Sequence, residues 1–341
     1  MCNIWKIPRE VRDLSMDRWI HLLSSDLLTD LRELDITGGE PFLRNDLPEL
    51  FSGICELKQK NLKSLASIAV TTNGILTDRV LDSCRKILEM LNPAHIDLVV
   101  VCAMDAIGEL HDRIRNYKDA WSKVDRTIRA LKALREEYPN LIIGLKTTVL
   151  PINIHELEKI SLYADSHGLF TIISPCIITE GRYLNPDRAA DLVFNQRDKE
   201  MMVTFYKSKL FRWSFHAQAL AQYFSTGMVK KPCSCGFNYF FVRSTGQVLL
   251  CPLRDESVGN IQDAPLGDLF FSKKACRMRR KIGRYTECEQ CTEPGLERYA
   301  LPYQGFTYLS YLLKQEKPHF FQLLIKNHKE ISIKKKIVSG I

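Results

Sequence analysis

Apolar runs and amphipathic runs alternate along the first half of the chain. Residues 31–37 read as a strand that stops at Gly38-Gly39, and 46–58 as a helix capped by Asn45 or Asp46. A strand over 67–72 halts at Asn73-Gly74, a helix over 77–91 closes at Asn92-Pro93, and 96–102 is a third strand. Trp121, Val124, Ile128, Leu131 and Leu134 recur at spacings of three and four, the stripe of a helix that faces a core. Strands over 141–149 and 170–174 follow, with a helix over 154–167 between them. The strands are continuous in apolar residues, which predicts burial on both faces. Their alternation with helices predicts a parallel sheet with right-handed crossovers, an open or closed α/β barrel.

Functional groups of such sheets gather at the carboxyl ends of the strands. Those ends read Thr37-Gly38-Gly39-Glu40-Pro41, Thr72-Asn73-Gly74, Cys102 to Asp105, Lys146-Thr147-Thr148 and Ser174-Pro175-Cys176, all rich in small or polar residues. From 187 to 228 the rhythm stops, and a helical, aromatic-rich stretch reads as a linker or bridging helices. Residues 231–294 are loop-rich and hold six of the eleven cysteines.

Composition narrows this further. At 341 residues, 45% hydrophobic and 26% charged, the chain can bury a core and is neither disordered nor fibrous. The first ten residues do not pattern as a signal peptide and no apolar run reaches the length of a membrane span, so a cytoplasmic location with reduced thiols is expected. Clustered cysteines then point to metal before disulfide. The formal charge of +8 concentrates at one end: residues 314–341 carry seven Lys and two Glu. A nearly balanced body excludes a nucleic-acid footprint across the fold. The tail, with Lys334, Lys335 and Lys336 beside Phe320, Phe321, Leu323, Leu324 and Ile325, reads as a solvated helix with a frayed end in preference to a membrane contact.

The strongest constellation by spacing is Cys233, Cys235 and Cys251 followed by Cys288 and Cys291 in C-E-Q-C. A hairpin, with 240–243 and 248–250 joined at Ser244-Thr245-Gly246, returns the chain to Cys251 and can bring four sulfurs around one centre. Tetrathiolate sites suit zinc or an iron-sulfur cluster, and spacing alone does not choose. At the other end, Gly38 and Gly39 let the backbone approach a ligand, and Glu40 can accept hydrogen bonds from an ammonium group; alone, this is equally a turn with an acidic residue. Arg115, on its own, reads as one half of a surface ion pair with Asp112 or Glu109.

The flank Met1-Cys2-Asn3-Ile4-Trp5-Lys6, followed by L-D-I-T-G-G-E-P-F-L-R-N-D-L, resembles the radical S-adenosylmethionine enzymes. In that family a C-x-x-x-C-x-x-C loop after the first strand binds three irons of a [4Fe-4S] cluster, and S-adenosylmethionine chelates the fourth. Cys2 matches the third cysteine of that loop; the first two have no counterpart. The resemblance places Glu40 at the methionine amino group, with Gly38, Gly39 and Asn73 along the cofactor. Asp105 to Arg115 resembles S-x-D-G-x-x-x-x-H-D-x-x-R, in which the Arg pairs with the methionine carboxylate, a role that falls to Arg115; a bidentate guanidinium suits it. Ala103 stands where the family often has Ser.

The cysteine-rich region resembles the SPASM or shorter twitch extension, through Cys233, Gly236, Gly246, Cys251, Val258 to Ile261, Gly267 to Phe270 and the final C-x-x-C. It implies one auxiliary [4Fe-4S] cluster on Cys233, Cys251, Cys288 and Cys291; Cys233 is preferred to Cys235, although either thiol can serve. The implied architecture is a partial (β/α)6 TIM-like barrel over 1–186 that lacks most of its first strand, bridging helices over 187–230, an iron-sulfur domain over 231–295 and a basic tail over 296–341. Cys55, Cys84 and Cys276 read as buried packing, Cys102 and Cys176 as packing or as substrate-facing, and His111 as orienting its loop. Tyr285, Glu287 and Glu293 lie near the second cluster, where they could handle protons.

The implied chemistry is reductive cleavage of S-adenosylmethionine to a 5′-deoxyadenosyl radical that takes a hydrogen atom from a peptide or small-molecule substrate. It needs a small electron donor such as a flavodoxin or ferredoxin. One thiolate cannot hold a cluster, so the 341 residues alone are expected not to perform this cleavage. The intact rim motifs favour a start placed too far downstream over a degraded gene. The reading from a different class is a ligand-binding or scaffold protein with structural zinc on the four cysteines.

Overall fold

The computed structural model describes residues 1–8, 10–180, 182–211, 214–229 and 232–293; the basic tail expected over 296–341 lies outside them. The chain opens with helix α1 (Met16–Leu23), then strand β1 (Glu33–Ile36), α2 (Leu47–Lys60), β2 (Ser67–Thr72), α3 (Thr77–Leu91) and β3 (Asp97–Ala103). Helices α4 (Glu109–Arg115) and α5 (Ala120–Glu137), β4 (Leu141–Val149), α6 (Leu157–Ser166) and β5 (Phe170–Pro175) complete it. The five strands run parallel in the order β1-β2-β3-β4-β5, the fold of a partial α/β barrel.

Burial on both faces, expected from the apolar runs, holds in stretches: Val100 to Ala103 at the end of β3, Ile143 to Leu145 in β4 and Ile173 to Pro175 at the end of β5. Elsewhere it alternates, as in β2, where Ile68 and Val70 are fully buried and Ala69 and Thr71 are not. Helices cover the outer face alone: Ile87, Leu88 and Leu91 of α3 and Val124, Ile128 and Leu131 of α5 are fully buried there. The spacing of those α5 residues is the stripe read in the sequence. The inner face carries small side chains, and a Cβ on Gly144 of β4 would sit 2.3 Å from the Phe170 ring that covers it.

The helix expected over 154–167 begins three residues later, after a 3₁₀ turn at Pro151–Glu156. Asn153 accounts for the delay: its Oδ1 accepts the Leu150 amide (2.7 Å), and its Nδ2 donates to the carbonyls of Asp105 (2.7 Å) and Thr148 (3.0 Å). Those bonds hold the backbone in the tighter turn.

Beyond β5, helices α7 (Gln196–Tyr206) and α8 (Phe215–Thr226) start at Asn195 and Ser214, whose side chains accept the Asp198 and Ala217 amides. The Tyr206 hydroxyl donates to the Ile173 carbonyl (3.0 Å), tying the helix pair to β5. A three-stranded antiparallel sheet follows: β6 (Phe241–Val242), β7 (Gln247–Leu249) and β8 (Ser257–Asn260). Gly246 makes the hairpin turn at φ +91°, where a Cβ would strike Asn260. Short helices α9 (Leu266–Phe271) and α10 (Lys273–Arg279) and a 3₁₀ turn at Thr286–Gln290 complete the described chain. Among the described residues no helix is long and apolar enough to cross a membrane.

Candidate functional site

Glu40 leaves the exposed Gly38-Gly39 turn and caps the 3₁₀ turn Pro41–Leu43. Its Oε1 accepts from the Thr72 hydroxyl (2.9 Å) and the Phe42 amide (3.3 Å), and its Oε2 from the Asn73 amide (2.7 Å). Burial raises the carboxyl pKa above its ordinary value, against the opposing pull of those donors and of the Arg115 charge. Asn73 serves through its backbone, since its Oδ1 is occupied by the Ile75 amide (2.9 Å).

Arg115 pairs with Asp105 (2.7 Å), not with Asp112 or Glu109. The sequence misses this because α4 turns the guanidinium back toward the end of β3. Asp112 instead accepts the amides of Asp119 (2.9 Å) and Trp121 (2.8 Å). Asp105 is fully buried, accepts the Thr148 amide on Oδ1 (2.9 Å) and donates its own amide to Nδ1 of His111 (3.0 Å). His111 does orient the loop. Its Nδ1 must stay unprotonated, and burial lowers its pKa to about 4. Two donors at this corner, Nε of Arg115 and Nε2 of His111, are buried without a hydrogen-bond partner.

Cys2 is half-buried beside the end of β5. Its neighbour Asn3 donates to the Leu184 carbonyl (2.8 Å) and Asp187 (2.7 Å), and Asn185 donates to the Met1 carbonyl (2.7 Å). Cys176 shares this corner, feels the charges of Cys2 and Asp105, and has its thiol pushed up to about 11 by burial. Cys102 points the other way, into the helix layer beside Cys84, and takes no part in the inner face. Cys276, expected to be buried, is exposed on α10. Basic side chains fill that turn, and the thiol donates to the Phe271 carbonyl (3.7 Å) and accepts from Arg279 (3.8 Å).

In the cysteine-rich region the Cys235 thiol lies within hydrogen-bond reach of both Cys233 and Cys251. Cys251, at the end of the hairpin, is held below the usual thiol range by Cys235 and by the Leu253 and Arg254 amides. Cys288 feels both Cys233 and Cys251. The thiols thus converge on one corner. Even so, among the described residues no group of three or more His, Cys, Asp or Glu side chains is arranged to hold a metal ion. Tyr285 and Glu287 are engaged by Arg254, which stacks on the ring (3.9 Å) and pairs with the carboxylate (2.8 Å). Glu293 reaches the barrel and pairs with Arg182 (2.7 Å). This buried pair is invisible to sequence reasoning, because its partners lie 111 residues apart and neither belongs to a motif.

Comparison with known proteins agrees with this layout. The chain is 20% identical over 258 residues to the sporulation killing factor maturation protein SkfB of Bacillus subtilis (strain 168), covering 75% of this chain and 57% of that protein. It is 30% identical over 173 residues to the Fe-coproporphyrin III synthase of Methanosarcina barkeri (strain Fusaro / DSM 804), covering 48% and 39%. It is 25% identical over 130 residues to the PqqA peptide cyclase of Granulibacter bethesdensis (strain ATCC BAA-1260 / CGDNIH1), covering 38% and 31%. The chain therefore spans less than two thirds of the length of these curated relatives. Among solved structures, native anSMEcpe with bound AdoMet superposes with a TM-score of 0.54 at 18% identity, over 93% of this chain and 90% of that one, and shares the fold. Residues 1–164 match the Radical SAM superfamily and residues 233–292 match SPASM, an iron-sulfur cluster-binding domain, so the chain belongs to the radical SAM superfamily as a member with a SPASM domain.

Proposed function

We propose that this chain binds S-adenosylmethionine at the carboxyl ends of β1 to β3, as part of an enzyme that uses it to modify a peptide once the first cluster has its full set of thiolates. The observation that carries the reading is the pairing of opposite charges across the rim. Glu40 is a half-buried carboxylate on one side of the rim, while Nε of Arg115 and Nε2 of His111 are buried donors in want of an acceptor on the other. An amino-acid head group supplies both an ammonium and a carboxylate, and so satisfies both sides. Gly38 and Gly39, with open space where a Cβ would stand, leave room for the ligand against the backbone. The residues present thus fit the cofactor.

They fit iron-sulfur chemistry as well. Cys233, Cys251, Cys288 and Cys291 are the proposed ligands of one auxiliary [4Fe-4S] cluster, with Cys235 buried behind them as a thiol hydrogen-bond donor. The match of residues 233–292 to an iron-sulfur cluster-binding domain favours a cluster over zinc at this corner. Cys2 is the proposed ligand to one iron of the first cluster. When bound, the cluster and S-adenosylmethionine would together supply hydrogen-atom abstraction from the substrate, the one electron of the reduced cluster being consumed in cleaving the sulfonium. The chain's own part is to fix the head group between Glu40 and Arg115, keep His111 neutral, and close the inner face against water. SkfB and the PqqA peptide cyclase motivate a peptide substrate; a small electron-donor protein such as a flavodoxin or ferredoxin, and a cytoplasmic location, complete the reading.

Binding of S-adenosylmethionine, measured by equilibrium dialysis, tests the site. Glu40→Gln and Arg115→Met should each weaken it by about tenfold or more, the equivalent of one charge-assisted hydrogen bond. Unchanged affinity in both variants refutes the assignment. Anaerobic loading with iron and sulfide tests the second site: Cys251→Ala should lose the visible iron-sulfur absorbance of that cluster. Zinc uptake without iron would overturn the cluster in favour of a structural metal.

A further inference from the structure

Lys146 has no place in the reading so far. It sits near the end of β4 between Leu145 and Thr147, whose side chains are buried against the helix layer. By the alternation of a strand, Lys146 therefore stands on the inner face. The register sets it beside Ala103 of β3 and Ile172 of β5, neither of which offers a side-chain acceptor. Four charges face it from other elements: Glu293 beyond the last cysteine, Arg182 after β5, Asp35 of β1 and Asp105 after β3.

Two of the three carboxylates are already committed. Asp105 is closed on Arg115 and Glu293 on Arg182, both at 2.7 Å, and Asp35 has interactions of its own. Among the described residues no ion pair is formed by Lys146, and burial pushes its pKa below the ordinary lysine value against the pull of the nearby carboxylates. A half-buried ammonium left over when its neighbours have paired is costly to keep, and an incoming anion removes that cost.

We propose that Lys146 anchors a carboxylate of the substrate, an Asp or Glu side chain or a chain terminus, on the inner face beside the Asp105–Arg115 corner. This rests on the proposed function, and deepens it: a substrate held there by one charge presents its adjacent C–H bonds toward the position assigned to the cofactor. The carboxylate of S-adenosylmethionine is the competing source of the same chemistry, but Arg115 and His111 already offer it two unpartnered donors.

The test reads Lys146 directly. The protein is acylated with an amine-reactive reagent, and the rate at Lys146 is followed by peptide mass spectrometry with N-acetylglutamate, N-acetylglutamine or S-adenosylmethionine present. N-acetylglutamate should slow acylation saturably, by about tenfold at high occupancy, while the amide and S-adenosylmethionine leave it unchanged. Lys146→Gln should abolish N-acetylglutamate binding seen by calorimetry and Lys146→Arg should retain it, with far-UV circular dichroism confirming that both variants fold. Equal protection by acid and amide, or none by either, overturns the proposal. Protection by S-adenosylmethionine alone would assign Lys146 to the cofactor and overturn it too. Failure of the proposed function would instead appear as absent S-adenosylmethionine binding in the unmodified protein, a separate measurement.

Discussion

His111 makes the stability of the barrel dependent on pH in a direction and by an amount that follow from its geometry. Its Nδ1 lone pair accepts the Asp105 amide at 3.0 Å, and the ring is fully buried. Protonating the ring breaks that bond and places a cation in an unhydrated site beside Arg115. The folded pKa of about 4 lies below the ordinary 6.5, so the stabilisation is present above pH 6.5 and is lost as pH falls toward 4. At about 1.4 kcal/mol per pH unit the full effect is about 3 kcal/mol, of which about 2 kcal/mol is already lost at pH 5. With a urea dependence of about 3 kcal/mol per molar, the unfolding midpoint should drop by about 0.7 M between pH 7.5 and pH 5. His111→Gln cannot titrate there and should remove that drop. Far-UV circular dichroism in urea at the two pH values measures it, and an equal drop in wild type and variant would refute the assignment to His111.

Two further outcomes follow from the same corner of the fold. Asp105→Ala leaves the Arg115 guanidinium and the Thr148 amide without their buried acceptor and should cost about 3–5 kcal/mol in urea unfolding. In a double-mutant cycle with Arg115→Met, part of that cost should disappear. Independent, additive effects would deny the pair. Gly74 stands at φ +70°, where a Cβ would lie 2.6 Å from Cγ2 of Val124. Gly74→Ala should therefore cost about 2–4 kcal/mol from left-handed strain and overpacking, measured by the same denaturation.

Much of the barrel was legible because local pattern and tertiary role coincide there. The limits of β2, α3 and β4 match the apolar periodicity residue for residue. α1 and α4 were missed: the first is eight residues of mixed character whose Ile20 packs on Gly53, and the second is seven residues set between Gly108 and Asn116 in positive φ. Neither is long enough for periodicity to speak. β8 was missed because Ser257–Asn260 is a motif of small residues that pairs only once β7 is in place. At the candidate site the sequence indicates which residues matter more readily than whom they touch. Glu40 and Arg115 stand out in the chain, yet the partners Thr72, Asp105 and the Asn73 amide come from other strands and loops.

The ties that hold the Cys2 loop have a consequence in time. Asn3 and Met1 are fixed by Tyr183, Leu184, Asn185 and Asp187, some 180 to 184 residues downstream. Leu14 is bound further on still, by the Ser244 carbonyl (2.7 Å). At synthesis rates of roughly 5–20 residues per second, the first segment waits on the order of ten seconds or more before its anchors exist. Loop closure over that span is slow relative to local helices. The Cys2 loop is thus among the last parts of the barrel to be fixed, and a cluster inserted there must find a chain whose segment after β5 has already folded.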